Sequence, residues 1–116
     1  MIRRAPKRLR DVVEAANEIL SYTEGKTFDD YVNDRGLRLM VERLFEIVGE
    51  AMNQAVTDEP ELQDEIPEAR RVVGMRNRII HGYDVVRHDI VWDSVQNQVR
   101  PLRDRIMTVL EERGWS

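Results

Sequence analysis

Apolar residues recur at steps of three and four along nearly the whole chain, and this periodicity restricts the fold to packed helices. Leu9, Val12, Val13, Ala16, Ile19 and Leu20 draw one stripe on a first helix expected over about 7–23, with Gly25 placed to end it. Thr27 can cap a second helix. Asp30 follows three residues on and Asp29 sits in the first turn, both suited to the positive end of the helix dipole. Leu37, Met40, Val41, Leu44, Ile47, Val48, Ala51 and Ala55 continue the stripe, so this second helix is expected to run for roughly 25 residues, long for a globular domain. Gly36 and Gly49 fall within it. A glycine costs about 1 kcal/mol against alanine in a helix interior, so either glycine is expected to mark close packing against a neighbour.

The stretch 57–66 is polar and acidic and contains Pro60, which reads as a loop. Pro67 fits the first position of a third helix, where its missing N–H is no loss, and that helix is expected to reach Ile80 or His81 before Gly82 ends it. A fourth helix is expected over about 89–113 on the stripe Val91, Val95, Leu102, Ile106, Val109 and Leu110, kinked at Pro101. Strand signals are weak, and no internal repeat is present. The whole chain, 1–116, is therefore expected to be one all-α domain, an antiparallel bundle of four to five helices.

Composition narrows the function classes. There is no cysteine, so a disulfide framework and a thiolate metal site are excluded. No apolar run approaches the roughly 20 residues that a membrane-spanning helix needs. The basic start, MIRRAPKRLRD, lacks the apolar stretch of a secretory signal, and a cytoplasmic protein is expected. The net charge of −4 argues against binding nucleic acid over the whole surface. Local basic clusters remain at Arg3, Arg4, Lys7, Arg8 and Arg10, and at Arg70, Arg71, Arg76, Arg78 and Arg87, with the acidic stretch 58–68 between them. Such clusters are often no more than solvated helix faces, yet each could hold a short RNA.

The third helix carries an anomaly. Ala69, Val72, Val73, Ile79 and Ile80 define its inward face, and Arg76 falls within that stripe. A guanidinium facing a core needs partners, for which Glu46 and Glu50 of the second helix are candidates. His81 lies five residues on and Tyr83 two further. A step of five rotates by about 140° on an ideal helix, so Arg76 and His81 do not share a face, whereas Asn77 and His81 do. Arg76 and His81 can converge if the helix ends at His81 or if the site is assembled across a symmetric dimer. Histidine can exchange protons near neutral pH, and arginine can hold a phosphodiester and stabilise the charge of its transition state. His88 fits a structural hydrogen bond and is given no role. Neither histidine has the Glu-x-x-His spacing of a di-iron bundle, and two histidines without cysteine suit zinc poorly, so no metal or other cofactor is expected.

The run Arg76-Asn77-Arg78-Ile79-Ile80-His81-Gly82-Tyr83 resembles the Arg, four residues, His, one residue, Tyr signature of the HEPN superfamily, specifically its HepT-like toxin branch. Phe28-Asp29-Asp30-Tyr31, Glu46-Ile47-Val48-Gly49-Glu50-Ala51, Gly74-Met75-Arg76-Asn77 and Ile90-Val91-Trp92 are similar to segments at matching places in that family, so the likeness covers nearly the whole chain. Glu68 departs from it: the family often has tryptophan after the proline that opens the third helix, and any contact made by that tryptophan is in doubt here.

The resemblance implies a helical homodimer with two motifs facing a shared cleft. It implies a metal-independent endoribonuclease in which Arg76 and His81 are catalytic and Asn77 and Glu50 support them. It implies a toxin of a type VII-like toxin–antitoxin pair acting on RNA, whether tRNA or mRNA. Its partner would be a minimal nucleotidyltransferase antitoxin that transfers AMP to Tyr83 and so blocks the cleft. An alternative is a non-catalytic helical dimer that binds nucleotide and anchors or regulates the nucleotidyltransferase.

Overall fold

The computed structural model describes residues 4–81 and 87–115, with the backbone alone at Arg76 and 78–81. Among the described residues there are seven helices and no strand: α1 (Ala5–Thr23), α2 (Phe28–Asn33), α3 (Arg35–Asp58), α4 (Leu62–Glu65), α5 (Ala69–His81), α6 (His88–Asn97) and α7 (Val99–Glu112). None of them is long and apolar enough to cross a membrane.

The stripe on α3 organises the packing. Val41, Phe45, Met52 and Ala55 are fully buried, and Leu44, Val48 and Ala51 nearly so. Against them α1 sets Leu9, Val12, Ala16 and Ile19, each fully buried, and α7 closes over α1 with Leu102, Ile106 and Val109. Each large side chain removed from water in this way contributes roughly 1.5–3 kcal/mol. The expected stripes therefore form the core, with Phe45, Tyr31 and Leu62 added from outside them.

Helix direction follows from side-chain partners. Asp58, at the last turn of α3, accepts hydrogen bonds from the backbone N–H groups of Arg4 and Ala5 at 3.1 and 2.8 Å, so α1 begins where α3 ends. Arg4 makes no capping bond with its own side chain, and the exposed N–H groups of α1 are satisfied from another helix. Met52 and Val56 of α3 line one groove with Ala69 and Val73 of α5, so α5 also runs antiparallel to α3. Arg103 of α7 reaches Asn17 of α1, and Arg10 reaches the Trp115 carbonyl, which makes α7 antiparallel to α1.

Two of the expected starts and stops are present. Thr27 and Asp30 form a reciprocal capping box, and Gly25 turns the chain with φ +73°. At the far end Gly114 sits at φ +69°, with the Trp115 N–H on the Leu110 carbonyl and the Gly114 N–H on the Glu111 carbonyl, a Schellman ending.

Four boundaries differ from expectation. The long second helix is broken at Asp34, whose extended backbone allows its carboxylate to cap α3 through the Leu37 N–H. Gly36 therefore lies in a first turn and not in a close-packed interior, while Gly49 is buried in mid-helix. The 57–66 stretch is not all loop: Thr57 and Asp58 complete α3, and fully buried Leu62 holds the single turn α4 against the core. Pro67 precedes α5 by two residues, because the Ala69 N–H bonds the Ile66 carbonyl and the chain turns before the helix starts. The break expected at Pro101 falls at Gln98. Proline lacks the N–H that would bond residue 97 and its ring crowds that carbonyl, so Pro101 occupies the first turn of α7, where neither matters.

The acidic stretch proves structural. Arg113 pairs with Glu65 and, at 3.6 Å, with Glu61, and its guanidinium lies 4.7 Å from the Trp115 ring centroid. Glu68 pairs with Arg105 at 3.3 Å. Replacing Asp58 by alanine is expected to lower stability by about 1–2 kcal/mol through loss of the α1 cap. Thermal unfolding of the Asp58→Ala variant checks this, and an unchanged midpoint would rule the cap out as a stabilising contact.

Candidate active site

The motif helix α5 is seated by Ala69, Val72 and Met75, all buried, with Val73 half-buried beside them. Arg76 and His81 both belong to it, and His81 is its last described residue. Helix geometry sets these two backbone positions about 140° apart around the axis and about 7.5 Å apart along it. The side chains of Arg76 and His81, together with Gly82 and Tyr83, lie outside the described residues. Asn77 is exposed on the same helix. Glu50 is exposed on α3, where its carboxylate accepts a hydrogen bond from Gln54 Nε2 at 2.8 Å, and it lines a groove of about 460 Å³ between α1 and α3. Glu46, the other acid considered for Arg76, pairs with Arg43 at 3.1 Å.

A second cluster escaped the sequence reading. His88 opens α6 and packs edge-on against Tyr31 of α2, with ring centroids 6.2 Å apart and planes at 78°. Trp92, one turn further along α6, lies 5.1 Å from the same tyrosine. Tyr31 is fully buried, and neither its hydroxyl nor His88 Nδ1 has a hydrogen-bond partner among the described residues. His88 is thus held among the described residues by ring packing against Tyr31. Aromatic pairs of this kind contribute about 0.5–1.5 kcal/mol beyond burial. Burial holds the Tyr31 phenol well above its ordinary range, and the Glu42 carboxylate adds to the rise. Burial likewise raises Glu42, against the opposing pull of His88 and Arg38. No local pattern joins Tyr31 to Trp92. They meet only because α2 and α6 cross at the same end of α3.

With this geometry described, the chain can be set beside known proteins. The family model "Ribonuclease HepT-like" matches residues 12–109. The chain belongs to the HepT-like ribonuclease family. It is 32% identical over 97 residues to the "Probable ribonuclease HepT" of Thermococcus cleftensis, covering 84% of this chain and 87% of that one. It is 29% identical over 101 residues to the "Putative RNase MJ1380" of Methanocaldococcus jannaschii, covering 87% of this chain and 92% of that one. No solved structure matches.

The HepT-like match takes in all of α3 and α5, and with them Glu50, Arg76, Asn77, His81 and Tyr83. It also takes in Tyr31, Glu42, His88 and Trp92, so the aromatic cluster belongs to the same domain as the motif. His88 begins the helix that follows the Tyr83 segment, and its packing fixes where that connection must arrive.

The raised Glu42 gives a pH test with a defined sign. A carboxyl group raised on folding contributes stability that is full below its unfolded pKa and is lost as pH rises through its folded pKa. Urea unfolding of the wild type and Glu42→Gln from about pH 3 to about pH 8 is expected to show the wild type losing stability relative to the variant as pH rises. Parallel profiles would contradict the burial of this carboxyl group.

Proposed function

We propose that this HepT-like chain is a metal-independent endoribonuclease, the toxin of a toxin–antitoxin pair, working as a homodimer in the cytoplasm. The observation that carries this reading is the ribonuclease family match over 12–109, with Arg76, His81 and Tyr83 all inside it at motif spacing and His81 at the described end of α5.

RNA brings its own nucleophile. The 2′-oxygen attacks the adjacent phosphorus while its proton passes to a base. The bond from phosphorus to the 5′-oxygen breaks and that oxygen takes up a proton, leaving a 2′,3′-cyclic phosphate and a 5′-hydroxyl. In this reading His81 carries the proton transfers, and two facing motifs would supply one imidazole for each. Arg76 stabilises the added charge on the phosphoryl oxygens with a forked pair of donors. Asn77 and Glu50 orient these groups.

Control falls to Tyr83. A minimal nucleotidyltransferase antitoxin would direct the Tyr83 phenol oxygen onto the α-phosphorus of ATP, forming a phosphodiester and releasing pyrophosphate. The added nucleotide places bulk and negative charge beside the cleft and repels RNA.

Expression alone is expected to arrest growth. His81→Ala is expected to lower RNA cleavage by about 10²–10⁴-fold and to relieve the arrest. Arg76→Lys is expected to lose most activity as well, because an ammonium lacks the planar fork. Equal toxicity of His81→Ala would overturn the catalytic assignment. Co-expression with the nucleotidyltransferase is expected to raise the intact mass by whole AMP units, and Tyr83→Phe to abolish the gain. An unmodified mass under neutralising conditions would instead mean inhibition by binding.

A further inference from the structure

Three acids of α3, Glu42, Glu46 and Glu50, stand at steps of four, and the helix turns them progressively away from α5. Measured around the axis from Val56, which lines the groove with α5, they lie at about 40°, 80° and 120° on an ideal helix. Glu50 is exposed, and Glu46 pairs with Arg43 at 3.1 Å. Glu42 is half-buried and makes no hydrogen bond or ion pair among the described residues. Arg38, one turn back, favours its ionised form but donates a hydrogen bond to the Val32 carbonyl, while Glu46, one turn on, opposes ionisation.

Along the axis, Glu42 sits beside the end of the motif helix. Met52 and Val56 share a groove with Val73 and Ala69, and two antiparallel helices of equal rise then place His81 roughly level with Leu44, about 3 Å along the axis from Glu42. From α6 the charge of His88 acts on Glu42, and Glu42 in turn acts on the phenol of Tyr31 from α2, the ring that packs against His88. Nδ1 of His88 is buried without a hydrogen-bond partner among the described residues. The turn of α3 that carries Glu42 thus stands beside the last described residue of α5 and faces the first residue of α6. Between those two residues the chain carries Tyr83.

Stability gives no reason for a carboxylate here. Burial raises its proton affinity, so holding it ionised at neutral pH costs folding free energy. Glutamine fits the same space with no charge to desolvate. An acid kept at such a cost, beside the end of the motif helix and opposite a histidine, is better explained by function than by packing. We propose that Glu42 is a positioning residue for RNA cleavage: acting on His88 across the gap between α3 and α6, it holds the far end of the stretch that leaves His81 and so fixes the orientation of the motif at the end of α5. In this role Glu42 touches neither RNA nor the reacting atoms. The proposal rests on the endoribonuclease reading above.

The test measures cleavage of single-stranded RNA and thermal unfolding at about pH 7 for full-length Glu42→Gln, His88→Phe and the double variant. His88→Phe keeps a ring against Tyr31 and removes both nitrogens. Glu42→Gln is expected to unfold at the wild-type midpoint or above it, and yet to lower kcat about ten- to hundredfold with KM within about twofold. His88→Phe is expected to lower kcat to a similar extent, and the double variant to lose no more than either single one, because the two residues act as a pair. Wild-type kcat in Glu42→Gln would overturn the role and leave the nuclease reading intact. Losses that multiply in the double variant would overturn the action through His88. A lower kcat that comes with a lower midpoint in Glu42→Gln would make the carboxylate a structural group and overturn the role as well. Wild-type protein that cleaves no RNA would overturn both this role and the nuclease reading.

Discussion

Helix α3 must bury more than one face, and most of the architecture follows from that requirement. The buried residues of α3 run from Gly49 round to Ala51, an arc of about 160° that is too wide for one neighbouring helix to cover, so α1 and α5 both pack on it. Both meet α3 antiparallel and are therefore parallel to each other. Asp58 fixes this arrangement at one end by capping α1 from the last turn of α3. The consequence appears at the opposite end, where the chain leaves α1 through Gly25 and reaches His81 on α5. A helix used on two sides thus points two distant stretches of sequence toward the same end of the bundle, without either having a local signal for the other.

The acidic segment between α3 and α5 shows how easily charge can be misread. In the sequence, 58–68 is a run of acids with the character of a solvated loop. In the fold, Asp58 is a cap, Glu61 and Glu65 hold Arg113, and Glu68 holds Arg105. Exposed pairs of this sort are each worth only about 0–1 kcal/mol. Their value is geometric, since two of them tie the chain before α5 to the end of α7, where Trp115 folds back on Leu110, and the third ties it to the middle of α7. Glu68, the one departure noted from the family resemblance, pairs with Arg105 at that place.

Local physics was the legible part of this sequence. Apolar spacing located the core stripes, and Thr27, Asp30 and Gly25 marked their turns, because each acts within a few residues. What escaped depends on the third dimension. The break at Asp34 had a local signal, since Asn33 and Gly36 beside it are poor helix formers, but the apolar stripe that follows overshadowed it; the carboxylate acts as a cap because α3 starts anew there. Pro101 was recognised as a disruption, but the break falls at Gln98, directly after the residue 97 carbonyl that its ring would meet in a continuous helix. The Tyr31, Glu42, His88 and Trp92 cluster joins three helices and could not be read from any one of them. At the candidate site, the spacing of Arg76, His81 and Tyr83 was visible at once, while their convergence depends on side chains outside the described residues.

The net charge of −4 is no obstacle to an RNA substrate once its distribution is considered. On one side of α1, Asp11, Glu14, Glu18, Glu46 and Glu50 outnumber Arg8 and Arg43 around the groove with α3. At the α1–α2 corner, Lys26, Arg100 and Arg103 stand with Glu24, Arg103 being paired to Asp104. At physiological salt the Debye length is about 8 Å, so each patch acts on what lies against it and the molecular net charge matters little.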